Sequence, residues 1–222
     1  MKRQVSLEEI SDGKLYGGAD LVKADCQDCK GCSACCHGMG KSIVLDPRDV
    51  FDLCRGLSVR FEDLLAGAVE LHVVDGVILP NLQMTGKDES CRFLNELGRC
   101  SIHAFRPGIC RLFPLGRYYE ENGSFQYFLQ THECRKENRT KVKVRKWIGL
   151  GDFKTYEEFV KDWHYFLEKL ETALEGQESD SPFSRNVSLY VLKSFYQTPY
   201  DLEKDFYPQF YERLGEAKKI FG

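Results

Sequence analysis

The chain contains no apolar run approaching the ~18 residues that a membrane-spanning helix needs, so no helical span is expected. It also lacks a strong charge of either sign, with 31 Lys and Arg against 34 Asp and Glu. Residues 1–150 hold 22 basic and 20 acidic side chains, and residues 151–222 hold 9 and 14, so neither part reads as a general nucleic-acid binder. The opening residues Met1–Glu9 carry no apolar stretch of the kind a signal peptide uses, and the expectation is a cytoplasmic protein. No His-Glu-x-x-His pattern and no Ser/His/Asp grouping is present. Gly38-Met39-Gly40-Lys41-Ser42 imitates the end of a phosphate-binding loop. The first glycine of that motif would fall at Cys35, however, and a strand-like run follows where a helix belongs. Gly149-Leu150-Gly151 is equally isolated, with no parallel-strand pattern before it. No autonomous catalytic motif is therefore visible. As an enzyme, the chain would be an accessory or protein-modifying oxidoreductase or transferase.

What the chain does have is ten cysteines, at 26, 29, 32, 35, 36, 54, 91, 100, 110 and 134, and none beyond. Disulfide frameworks belong mainly to short secreted chains, so thiols at these spacings in a reducing compartment point to metal. Cys26, Cys29, Cys32 and Cys35 follow one another with two residues between each pair, the spacing at which a turn aims two sulfurs at one metal. Glycine and small residues between them let the backbone tighten and point amide N–H groups at sulfur. Adjacent Cys35 and Cys36 are expected to point in different directions, which favours two centres over one. Cys91, Cys100, Cys110 and Cys134 supply a second half. The candidate ligands are thus Cys29, Cys32, Cys35, Cys36, Cys91, Cys100, Cys110 and Cys134. Cys54 shares a helix face with Val50 and Leu57 and reads as core.

The pattern predicts an α+β fold: a small, irregular, cysteine-rich metal-binding core with short hairpins over 1–150, and a helical C-terminal region over 151–222 packed on it. Asp75-Gly76 and Asn122-Gly123, each between β-rich runs, predict hairpins. Ile43–Leu45 and the pair Cys91–Leu94 and Arg99–Ile102 read as short strands. Asp46-Pro47 opens a helix, and Ser58 is expected to cap the next. Thr155 begins a capping-box pattern before the stripe Phe159, Trp163, Phe166, Leu170 and Leu174. Further helices are expected over Ser188–Tyr196 and Leu202–Phe221, the last interrupted at Pro208.

Cys29-x2-Cys32 followed by Cys35-Cys36, then Cys91-x-Phe93-Leu94, Cys100-x-Ile102 and Arg106-Pro107-x2-Cys110-Arg111-x-Phe113-Pro114, together resemble the YkgJ-type cysteine-cluster family. That family is associated with chelation of zinc or iron, and a related cysteine domain occurs in flagellin lysine methylases. The resemblance covers about residues 26 to 134 and implies a metal-binding cysteine domain. Gly31 before Cys32, His103 in place of a tyrosine, and the additional Cys26 depart from its pattern. Arg106, Arg111 and His103 are expected around the cofactor, where cations would offset thiolate charge. Arg92, Arg99 and Arg117 are weaker candidates for the same task. A dense cysteine ladder completed by ligands spread along the chain favours an iron–sulfur cluster of the 4Fe-4S type, with zinc as the alternative. A protein redox partner or protein substrate is the expected partner, without membrane or nucleic acid. The basic run Arg135–Lys146 reads as a solvated face. His37 is expected at a loop surface, and His72 and His164 in structural roles.

Overall fold

A computed structural model describes residues 6–26, 32–178 and 181–221. Helix α1 (Leu7–Ile10) is capped by Ser6 and runs directly into β1 (Ser11–Tyr16), followed by β2 (Leu21–Asp25). Cys35 and Cys36 lie in a 3-10 turn, Ala34–Cys36. Helix α2 (Pro47–Leu57) starts as the sequence suggests: the Asp46 carboxylate accepts the Asp49 N–H at 2.8 Å, and Asp49 accepts the Asp46 N–H at 3.1 Å. Ser58 takes the left-handed conformation (φ 57°) that ends α2, so it does not cap the next helix. That helix, α3 (Phe61–Leu65), begins after Arg60.

Strands β3 (Val69–Val74) and β4 (Val77–Leu82) form the expected hairpin, with Val74 opposite Val77. Asp75 and Gly76 both have positive φ (49° and 83°), which a two-residue turn of matching twist demands. The run Ile43–Leu45 is not a strand. It makes one bridge, Val44 to Asn81, and cannot extend it because Pro80 offers no N–H. Strands β5 (Met84–Thr85) and β6 (Ser90–Cys91) pair next. The segments Cys91–Leu94 and Arg99–Ile102 meet at a Leu94–Cys100 bridge, with the Ser101 N–H and hydroxyl both donating to the Phe93 carbonyl. The intervening turn is held by Asn95, whose side-chain oxygen accepts the N–H groups of Leu97 and Arg99.

Beyond α4 (Gly108–Leu112) come β7 (Leu115–Tyr119), β8 (Phe125–Gln130), β9 (Thr140–Lys143) and α5 (Val144–Ile148). Strands β1, β8 and β7 make an antiparallel sheet in that order, and β2 pairs with β9. The long helix α6 (Phe153–Leu174) is capped by Asp152, whose carboxylate accepts from Thr155 N, so it begins ahead of the expected Thr155. Helix α7 (Pro182–Leu192) starts from the Ser181 cap and proline and passes into a π turn, Lys193–Gln197. In α8 (Phe206–Phe221), Pro208 falls in the first turn, where no N–H is needed, and the helix is continuous.

The result is a mixed α+β architecture with small antiparallel sheets, cysteine-bearing loops and a helical C-terminal region. Phe159, Trp163, Phe195, Phe206 and Phe210 are buried between the helices, with Phe159 to Phe210 at 4.7 Å and Trp163 to Phe195 at 4.9 Å. Each such pair contributes about 0.5–1.5 kcal/mol beyond area burial. Phe51 of α2 meets Phe206 at 5.3 Å, and the Tyr196 hydroxyl donates to the Leu45 carbonyl at 3.0 Å. Through these contacts the helices brace the segment that leads into the cysteine loops. Among the described residues no helix is long and apolar enough to cross a membrane.

Candidate metal centre

Six of the candidate cysteines, Cys32, Cys35, Cys36, Cys91, Cys100 and Cys110, line one cavity of about 330 Å³. They come from three stretches of chain, and specific bonds bring these stretches together. The 3-10 turn is tied to β6 by a bridge between His37 and Ser90, by the Gly38 N–H to the Glu89 carbonyl at 3.0 Å, and by a Ser90 Oγ–His37 Nδ1 contact at 3.1 Å. His37 is therefore a brace for the cysteine pair, a role its expected place at a loop surface does not convey. Cys100 is held to the Cys91 strand through the Leu94 bridge and the Ser101 N–H to Phe93 carbonyl bond of 2.8 Å. Cys110 sits on α4, whose first N–H, from Gly108, is bonded at 2.7 Å to the buried carboxylate of Asp49. Arg111 staples the same helix to the preceding turn by donating to the carbonyls of Arg106 (3.1 Å) and Ala104 (2.6 Å).

The sulfurs interact with one another. Cys35 and Cys36 share the 3-10 turn and both line the cavity. The neighbouring Cys36 thiol, helped by the Arg106 guanidinium, draws the Cys35 thiol down to about 7, while Cys36 is pushed up by Cys35 and by burial. Burial also pushes up Cys91, Cys100 and, most strongly, Cys110, and the neighbouring thiols add to each rise. The backbone amides of Phe93 and Ile102 act the other way on Cys91 and Cys100, favouring thiolate. These thiols cannot all ionise together without a counter-cation in their midst. The donor set thus fits a thiophilic metal or an inorganic core. Among the described residues no three His, Cys, Asp or Glu side chains already converge on a metal-holding point.

His103 and Arg106 line the cavity, and Arg106 Nη1 donates to the His103 carbonyl at 2.8 Å and contacts its Nδ1 at 3.2 Å. Arg99 also lines it, whereas Arg111 does not and instead holds backbone carbonyls, as above. Arg92 bonds to the Gly67 carbonyl, and Arg117 to the Tyr156 hydroxyl at 2.7 Å, both in structural roles. Cys134 is not among the lining residues. Cys54 is buried in the core cluster, as its helix position implies. Cys29 lies outside the described residues. Sequence reasoning missed one wall, formed by Val142 of β9 with Lys146 and Trp147 of α5. Its signal lay in Trp147, placed between the buried Val144 and Ile148 just past the run Arg135–Lys146, read for its charge alone.

A family model bearing the description "CxxCxxCC: Putative zinc- or iron-chelating domain" matches residues 28–141. No curated protein and no solved structure matches the chain.

Proposed function

We propose, from the premise that this chain belongs to the CxxCxxCC family of zinc- or iron-chelating cysteine domains, that it carries one thiolate-bound iron–sulfur centre in the cavity described above. The carrying observation is that six thiols from separate parts of the chain face a single space. Four of Cys32, Cys35, Cys36, Cys91, Cys100 and Cys110 would ligate a 4Fe-4S cluster, with Cys29 a further candidate. The size of the cavity favours a polyatomic core over one ion, because a structural zinc ion is closed tightly by its own four ligands. Such a cluster supplies one-electron chemistry. The protein's part is to hold it in apolar surroundings, to favour thiolate through the Phe93 and Ile102 backbone amides, and to offset thiolate charge through Arg106. The proposed role is electron transfer to a protein partner or support of a protein-modification reaction in the cytoplasm.

Oxygen-free purification tests this: brown protein with iron and acid-labile sulfide is the expected result, and colourless protein with stoichiometric zinc refutes it. The zinc alternative draws on the family description and on the thiol count. Two tetrahedral zinc ions sharing bridging thiolates would also use all six sulfurs, making the domain a stapled binding module.

A further inference from the structure

The wall of the cavity built by β9 and α5 contributes Val142, Lys146 and Trp147 and no sulfur. A volume of about 330 Å³ falls within the roughly 300–1,000 Å³ range of small-molecule sites and far exceeds the ~30 Å³ share of one water. The lining is largely apolar, with Ile43, Leu82, Met84 and Phe113 facing the same space. Trp147 is fixed as a flat surface, because its Nε1–H donates to the carbonyls of Leu112 (3.3 Å) and Phe113 (3.2 Å). The polar groups are few and mostly cationic: Arg99, Arg106 and Lys146, with His103, against the single carboxylate of Asp25.

The cations divide by position. Arg106 acts on the thiols of Cys35 and Cys100, while only its Nη1 is hydrogen-bonded among the described residues. Lys146 has no ion pair among the described residues, although it borders the same cavity. A cation on a thiol-free, apolar wall is not needed to neutralise thiolate. It suits the head group of a ligand whose body lies along Trp147.

We infer that the cavity is also a binding site for a small organic anion, a carboxylate or phosphate ester on an apolar body, held beside the metal centre by Lys146 with Trp147. The inference rests on the metal-centre reading only in placing the ligand next to a metal. It makes the centre an open, ligand-accessible one and not a closed staple.

The test uses the full chain as purified without oxygen, its metal and sulfide measured on the same sample. Benzoate and phenyl phosphate are titrated by calorimetry and by Trp147 fluorescence, with uncharged benzamide as control; a preference between the two anions identifies the head group. Saturable binding of either anion is expected, with benzamide about tenfold weaker, a difference worth about 1.4 kcal/mol. Lys146→Gln, a change at an exposed side chain, should weaken the anion about threefold or more while leaving benzamide unchanged. Trp147→Phe should remove the fluorescence change. Equal binding of anion and benzamide, or no saturable binding at millimolar concentration, overturns the inference, and a metal-loaded protein giving that result leaves the metal reading standing. Anion binding by a protein that never takes up metal supports the ligand site and removes the metal centre.

Discussion

Replacing Asp49 with alanine should destabilise the protein measurably although Asp49 lies outside the cavity. Its carboxylate is 6% exposed and makes two bonds, to Gly108 N at 2.7 Å and Asp46 N at 3.1 Å. Loss of the first strands a buried N–H at the start of α4, at about 1–3 kcal/mol. Loss of the second halves the reciprocal cap of α2, at about 0.5–1 kcal/mol. Against this, burial and the neighbouring Asp46 push the Asp49 carboxyl well up, so deleting it returns some of its desolvation cost. The net expectation is a loss of about 1–3 kcal/mol. For a chain of this length that lowers the melting temperature by about 3–10 °C. Asp49→Asn keeps one oxygen acceptor but turns an amide N–H toward the other donor, so it should fall between wild type and alanine. Melting followed by circular dichroism decides the matter. An alanine variant melting within about 1 °C of wild type would refute the claim that this carboxylate clamps α2 to the helix bearing Cys110.

Cys110→Ser should abolish or sharply reduce bound metal, whereas Cys134→Ser, outside the cavity lining, should retain it, as read by metal analysis of each purified variant. Cys54→Ala should keep full metal content and lose about 1 kcal/mol in urea unfolding, since that sulfur only fills core space. Asp46 gives a pH signature. Burial pushes its carboxyl up to about 6, against the pull of the Asp49 N–H, Arg117 and Arg48. The folded state therefore holds this proton more tightly than the unfolded chain, and the contribution is present below about pH 4 and lost as pH rises through about 6. Asp46→Asn should flatten that part of the stability profile; an unchanged slope between pH 4 and 6 would exclude Asp46 as its source.

Much of this architecture was legible where the signal is local. The Asp75-Gly76 and Asn122-Gly123 turns and the stripe on α6 need only neighbouring residues to declare themselves. Strands β1, β2 and β9 were not legible, because their pairing joins distant segments, with Ser11 opposite Gln130 and Asp25 opposite Thr140. β1 is also mostly polar and only partly buried, so its alternation is weak. For the candidate site, spacing pointed to the cysteines but not to how they are shared. The expectation that neighbouring Cys35 and Cys36 point in different directions favoured two centres, whereas both line the one cavity. Arg111 looked like a counter-charge because proximity in sequence does not distinguish a cation facing sulfur from one bound to carbonyls.

The span shared with the family stops at residue 141, and Val142, Lys146 and Trp147 come immediately after it, while Asp25 comes just before. The six thiols of the cavity thus fall within the span that the family model matches, while the wall bearing Trp147 falls outside it, so sulfur supply and wall chemistry reside in separable stretches of this chain.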